Sequence, residues 1–402
     1  MLRGLFATGS VLAVLFASVY QLWLKEVLTV TVGVGRVIQN IDEFPYQCRR
    51  LEHKRLEACE DLWLDNEARV LYAACAGTMH RRHWSPSIAQ LNVSGRRPGG
   101  GELIALDIDA ADKDGFFPFH ALETSGYTDA VGGTELDLVG FDVEVIDSST
   151  IHFYLVNLRP PVDDELKYVD ASKIGANSTI EIFEFRKGET SMKHLRTISS
   201  PEIISPNNIA ALGGGALVFS NDHSGKVGLR RELDPILGGG NIIYCSSLDD
   251  CHTASPPTPN LRFPNGLAKG TDGRIYVPST VDGKIYVYEV EPNTNNLDHV
   301  DTIEVGMPLD NINVDANGDM WVPGVPNILE TMKTTTRPLE VNSPATLFRV
   351  GRNSGEWKVE KVLEDGEAKV MSLATTVAHD VKTGRLFVGA ALAPYLVVCD
   401  PE

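Results

Sequence analysis

The chain has no G-x-S-x-G, no H-E-x-x-H and no Walker A glycine loop, so serine-hydrolase, zincin and P-loop chemistries have no footing in its sequence. It is poor in positive charge: 36 Lys and Arg stand against 54 Asp and Glu, a net charge of −18. That balance argues against nucleic acid and against adsorption to anionic lipid, and fits a soluble or cation-binding protein. Cysteine is scarce, six in 402 residues, and none has zinc-site spacing. The remaining composition, 43% hydrophobic and 22% charged, is that of an ordinary folded protein with ample length for a core.

The N-terminus reads as a secretory element. Arg3 precedes an apolar run from Gly4 to Leu24, closed by Lys25. Its length matches a membrane span of about 20 residues, and Ala17-Ser18 offers small residues for cleavage. Residues 1–26 are therefore expected to be a signal peptide or a membrane anchor, which makes membrane contact through this segment an open expectation. Two sequons, at Asn92 and Asn177, fit entry to the secretory pathway, as does an even cysteine count. Cys245 and Cys251 flank a short loop that a disulfide could staple, and Cys48 and Cys399 sit near the two ends of the folded region.

Residues 27–56 are expected to form a connector. Val27–Val32, rich in β-branched residues, reads as a strand or as the tail of the apolar segment. From about Glu57 the texture becomes repetitive. Phrases such as Gly273-Arg274-Ile275-Tyr276-Val277, Asp282-Gly283-Lys284-Ile285-Tyr286-Val287, Asn317-Gly318-Asp319-Met320-Trp321-Val322 and Thr383-Gly384-Arg385-Leu386-Phe387-Val388 are hairpin signals. Ile180–Phe185 alternates with period two, which predicts a strand with one wet face. Repeats of about 40–50 residues with several strands each predict an all-β chain, a six-bladed β-propeller over residues 57–402. The blades are placed at about 57–110, 137–200, 206–247, 263–305, 309–364 and 371–399. The last is short, so a strand from the N-terminal side should complete it. Two inserts, from Arg81 to Gly101 and from Pro323 to Pro344, are expected to be loops over one face. The first carries the pairs Arg81-Arg82 and Arg96-Arg97, which read as solvated loop charges in preference to an anionic-ligand patch.

One set of oxygen-bearing residues recurs through the repeats: Glu60-Asp61, Asn207-Asn208, Asn265 and Asp310-Asn311, each before or within a short apolar run. In a propeller the first strand of every blade lines the central channel, so these positions converge on one axis. Carboxylate and amide oxygens suit calcium, and Glu60 with Asp310 would balance its charge. Side chains alternate along a strand, so the adjacent pairs Glu60-Asp61 and Asn207-Asn208 can serve two sites stacked along the channel.

The residues Cys59-Glu60-Asp61-Leu62, Asn207-Asn208-Ile209, Ser220-Asn221-Asp222-His223, Phe263-Pro264-Asn265-Gly266 and Leu309-Asp310-Asn311-Ile312 resemble the serum paraoxonase/arylesterase family of calcium-dependent propeller esterases and lactonases. The match runs from about Cys48 to Cys399. The resemblance implies one or two Ca²⁺ ions. The first would be held by Glu60, Asn207, Asn265, Asp310 and Asn311. The second would be held by Asp61, Asn208 and the main-chain oxygen of Phe141. It also implies a Cys48–Cys399 disulfide. The family's histidine pair falls at Val139 and Leu158 here, and neither residue can move a proton.

The expected activity is hydrolysis of a small-molecule ester or lactone. The metal would polarise the carbonyl, and Glu60 or Asp310 would act as base toward water. A gluconolactonase-like propeller uses a similar site without that histidine pair. The alternative is a non-enzymatic calcium-stabilised propeller that binds a ligand or a protein partner.

Overall fold

The computed structural model describes residues 17, 18 and 20–402. The apolar segment proposed as signal or anchor lies mostly outside them. Among the described residues no helix is long and apolar enough to cross a membrane.

The chain is mostly β and forms six sheets arranged as blades. Blade 1 comprises Cys59–Asp65, Val70–Cys75, Glu102–Asp107 and Phe119–Ala121. Blade 2 runs from Leu138–Val145 through Thr150–Asn157 and Thr179–Arg186 to Ser191–Ile198, with Glu123–Ser125 added in parallel at its outer edge. Blades 3, 4 and 5 span 206–253, 268–304 and 313–365. Blade 6 takes Ala374–Asp380, Arg385–Ala390 and Leu396–Pro401 from the C-terminus and its outermost strand, Tyr46–Leu51, from the N-terminal side. The two ends of the chain thus share one sheet, with Cys48 opposite Cys399 and disulfide-bonded to it.

Each blade's first strand touches those of the blades before and after it, and the sixth touches the first, so the ring is closed. A buried hydrophobic cluster fills each interface between neighbouring blades. Tyr72, Phe153 and Phe185 lie between blades 1 and 2, and Leu71, Phe117 and Phe387 between blades 6 and 1. Phe117 and Phe387 meet edge to face, the arrangement favoured by the ring quadrupoles.

Several local expectations change in the fold. Val27–Thr31 is a short π-helical turn rather than a strand, docked by the Thr31 hydroxyl on the Val281 carbonyl at 2.7 Å. Thr179–Arg186 has no wet face along most of its length, because both faces meet a neighbouring blade. Its polar Glu181 is fully buried and accepts hydrogen bonds from Thr179, Thr197 and Asn157, which is how the period-two pattern survives inside a core. The two inserts are structured: one carries the short helix Thr78–Arg81 and a two-stranded hairpin, the other the helix Ile328–Thr336. A third element, the helix Leu229–Leu237, joins the first insert through Arg231, which donates to the Pro86 and Ser87 carbonyls at 2.9 and 2.7 Å.

Candidate metal centre

The first strands of blades 1 and 3 are not regular where they carry the oxygen donors. In blade 1 the register shifts between Cys59 and Asp61, leaving Glu60 as the extra residue; in blade 3 it shifts between Pro206 and Ile209, across Asn207-Asn208. Such bulges re-aim side chains out of the ladder, and here they turn them toward the channel. In blades 4 and 5 the chain beside Asn265 and Asp310 is reduced to single bridges, Pro264 to Ser279 and Leu309 to Gly324. Two glycines allow the inner strands to meet. A Cβ on Gly140 would lie 2.4 Å from the Asn207 carbonyl oxygen, and one on Gly266 would lie 2.5 Å from the Asn311 Cα.

Glu60, Asn207, Asn265 and Asp310 line one cavity of about 320 Å³. Ile88, Phe263, Val325, Ile328, Met332, Leu373 and Leu392 give it an apolar wall, so both inserts form its rim. The amides of Asn207 and Asn265 have a fixed sense. Asn207 Nδ2 donates to Asp222 at 3.4 Å, and a carboxylate can only accept. Asn265 Nδ2 donates to the Thr280 hydroxyl at 3.0 Å, whose own proton goes to the Leu309 carbonyl at 2.8 Å. Both amide oxygens are left buried with no hydrogen-bond partner. Asp310 keeps some accessible surface. The protein around it still desolvates its carboxyl and pushes it up to about 8; the Asn311 N–H opposes the rise and the charge of Asp61 adds to it.

Two unpartnered amide oxygens and two carboxylates line one cavity, an all-oxygen donor set. A hard divalent ion such as Ca²⁺ fits them. Among the described residues no group of three His, Cys, Asp or Glu gathers to hold a metal unaided, so any ion here depends on the amides.

Asn311 is not on this cavity. Its Nδ2 donates to the Glu60 carbonyl at 3.2 Å and its Oδ1 accepts from Asn208 at 3.2 Å, so it ties blade 5 to blades 1 and 3. The Thr375 hydroxyl also donates to the Glu60 carbonyl, at 3.0 Å.

Asp61, Phe141 and Asn208 line a second, smaller cavity of about 90 Å³. Their side-chain oxygens are already engaged. Asp61 accepts from the backbone N–H groups of Phe141 and Leu62, each at 3.0 Å, and Asn208 Oδ1 from the Ile209 N–H at 2.8 Å. Burial pushes the Asp61 carboxyl up to about 7 against these bonds. This set fits a cation less well than the first, since neither Asp61 nor Asn208 has a buried side-chain oxygen without a hydrogen-bond partner.

Three roles were not legible from sequence, although one of the residues, Asp222, lies in a motif that carries the resemblance. Arg81 is buried rather than solvated, is ion-paired with Glu60, and donates to the Leu138 carbonyl at 2.6 Å. Burial lowers its guanidinium to about 10, with Asp137 and Asp310 opposing the fall, so it is charged at neutral pH. Arg96 also leaves solvent to pair with Asp137. Asp222, fully buried, gathers the Ser205 hydroxyl, Asn207 Nδ2 and His223 Nδ1, the last at 2.6 Å, and so orients Asn207. The third is the Cys59–Cys75 disulfide, which stands beside Glu60; Cys245 and Cys251 are paired as well. Val139 and Leu158 are packed in the core between blades 2 and 3. Of the sequon asparagines, Asn92 is exposed and Asn177 half-buried.

The profile of the family described as Arylesterase matches residues 161–400. Serum paraoxonase/arylesterase 1 of Mus musculus is 29% identical over 198 residues, which is 48% of this chain and 54% of that protein. The same protein of Homo sapiens is 31% identical with the same coverage. The matched stretch thus spans about half the length of these curated relatives. Among solved structures, a luciferin-regenerating enzyme aligns at a TM-score of 0.49 and 12% identity, over 88% of this chain and 95% of that one. Glu60, Arg81 and Phe141 lie outside the residues matched by the family profile.

Proposed function

The chain belongs to the arylesterase family, and from that premise we propose that it is a calcium-dependent hydrolase of small esters or lactones. The observation that carries this reading is the pair of buried, unpartnered amide oxygens, Asn207 Oδ1 and Asn265 Oδ1, on a cavity shared with Glu60 and Asp310. Those four residues would hold the ion. Bound there, calcium supplies a Lewis acid for the substrate carbonyl oxygen.

The chain's own groups account for the rest. The apolar wall receives the acyl or alkyl part of the substrate and excludes bulk water. Asp222 and Thr280 hold the two amides with their oxygens toward the cavity. Glu60 is already engaged in an ion pair with Arg81. Asp310 is therefore the better base of the two. It takes a proton from water as the water oxygen bonds to the acyl carbon, and it returns that proton to the leaving oxygen as the acyl C–O bond breaks. A bound cation lowers the basicity of Asp310, so this step asks for a modest rate.

The second reading is a calcium-stabilised propeller that binds a ligand without turnover. It is favoured by the burial of Val139 and Leu158 in the core, the two residues that stand where the resemblance would place the family's histidines. The three disulfides fit an oxidising, extracytoplasmic setting for either reading. The N-terminal segment, as signal or anchor, would deliver the chain there, and Asn92 and Asn177 would then be open to glycosylation.

A panel of aryl esters and lactones, assayed with purified protein before and after chelation and after calcium is restored, tests the proposal. Hydrolysis lost on chelation and recovered with calcium is the expected result. Calcium-dependent stability with no turnover on any substrate would favour the second reading.

A further inference from the structure

Arg81 reaches the site only through Glu60, and the hydrolytic scheme uses it for no more than occupying that carboxylate. Its guanidinium meets Glu60 from a neighbouring small cavity lined by Trp84, Asp137, Leu138 and Leu158, not from the main cavity. It is 3% exposed, and it cannot swing aside freely. Nη1 is bonded to the Leu138 carbonyl at 2.6 Å, and the Arg81 backbone N–H closes a helical turn onto the Gly77 carbonyl at 2.9 Å. The Glu60 backbone is fixed as well, since its main-chain carbonyl accepts from Asn311 and Thr375. The pair is therefore built into the fold.

The charge count gives this geometry a consequence. Glu60 and Asp310 present two negative charges to a divalent ion, and a fixed guanidinium on Glu60 cancels one of them. Burial strengthens such an interaction over its value in water. Affinity in oxygen-donor calcium sites follows ligand charge and rigidity over several orders of magnitude.

Resting on the reading of the main cavity as a calcium site, we propose that Arg81 is a resident counter-cation that partners Glu60 in the metal-free protein and sets the calcium threshold by weakening the site. It stabilises the empty state and opposes the filled one. The two effects have opposite signs, which separates this role from simple structural support.

The test uses the full chain, purified in calcium and then stripped by a chelator, in three forms: natural, Arg81→Gln and Arg81→Lys. Calcium chloride is titrated calorimetrically, and thermal unfolding is followed with and without calcium. Arg81→Gln is expected to bind calcium at least about tenfold more tightly, because a site charge is restored, and to unfold at a lower temperature than the natural chain when calcium is absent. Arg81→Lys, which keeps the charge, should remain near the natural affinity. If Arg81→Gln does not survive stripping, its affinity is read in calcium-buffered solution by competition with the chelator. Equal or weaker binding by Arg81→Gln, with the natural chain binding normally, overturns the proposal and leaves the calcium site standing. No calcium binding by any of the three overturns the site itself, and the proposal with it.

Discussion

The three disulfides bridge directly opposed residues of antiparallel neighbours but close loops of very different size, which makes their removal a graded test of the fold. The sequence separations are 351 for Cys48–Cys399, 16 for Cys59–Cys75 and 6 for Cys245–Cys251. Chain-entropy bookkeeping gives about 6, 3 and 2 kcal/mol for the three, on a model in which the bond acts by restricting the unfolded chain. With an unfolding entropy of about 2.1 cal/mol/K per residue, these correspond to drops in Tm of about 7, 4 and 3 °C. Replacing each pair by alanine and scanning by calorimetry in excess calcium gives the series, with the same atoms removed each time. The ring-closing pair should cost most, and it alone should expose the Tyr46–Leu51 strand to early proteolysis, because that strand is the outermost of blade 6 and its sheet pairing is with Leu396–Pro401 alone. A Cys48/Cys399 variant that melts within about 1 °C of the Cys245/Cys251 variant would show that closure is secured by packing, and that the loop-entropy argument fails for this ring.

Asp310→Ala should abolish tight calcium binding and any hydrolysis, since it removes one of two charges and the proposed base; titration and turnover at natural levels in that variant would exclude the assignment. Asn208→Asp should strengthen the second cavity for calcium and raise Tm in calcium by mass action on the folded state. Without calcium the same change places a second carboxylate beside buried Asp61 and should lower Tm; equal Tm values under both conditions would show that the cavity binds nothing. Asp380 gives an acid-side prediction. Burial would raise its carboxyl, but hydrogen bonds from Arg69 and Thr383 outweigh this and hold it down at about 2. A value depressed below the unfolded 3.8 means stability that is present above that pH and is lost as pH falls toward 2. The amount is about 2 kcal/mol. Arg69→Gln should start less stable at neutral pH and show a shallower loss between about pH 4 and pH 2, read by denaturant titration; an unchanged slope would contradict it.

Much of the fold was legible because its information is local and repeated. Asn317-Gly318 and Thr383-Gly384 mark hairpins wherever they occur, and six such units close a ring. The convergence of the oxygen set was legible for the same reason: Glu60, Asn207, Asn265 and Asp310 hold similar places at the inner ends of blades 1, 3, 4 and 5, and the ring brings such places together. What was not legible depends on contacts without a period. Arg81 looks like any solvated arginine in its own stretch, and only the fold of the insert carries it under Glu60. Asn311 shares a motif with Asp310, yet its amide is spent between blades, on Asn208 and the Glu60 carbonyl. Glu181 reads as a wet position by alternation and is buried, since three polar neighbours, one on its own strand and one on each adjoining strand, satisfy it. Cys59 and Cys75 are paired because a hairpin aligns them, which their spacing alone does not announce.

The most direct test of the central claim is a crystal structure of the protein grown in calcium. The account predicts one ion in the main cavity, about 2.3–2.6 Å from Asn207 Oδ1 and Asn265 Oδ1 and in contact with Glu60 and Asp310, with Arg81 still bonded to the Leu138 carbonyl. A cavity in which both amide oxygens meet only water, at saturating calcium, would contradict it.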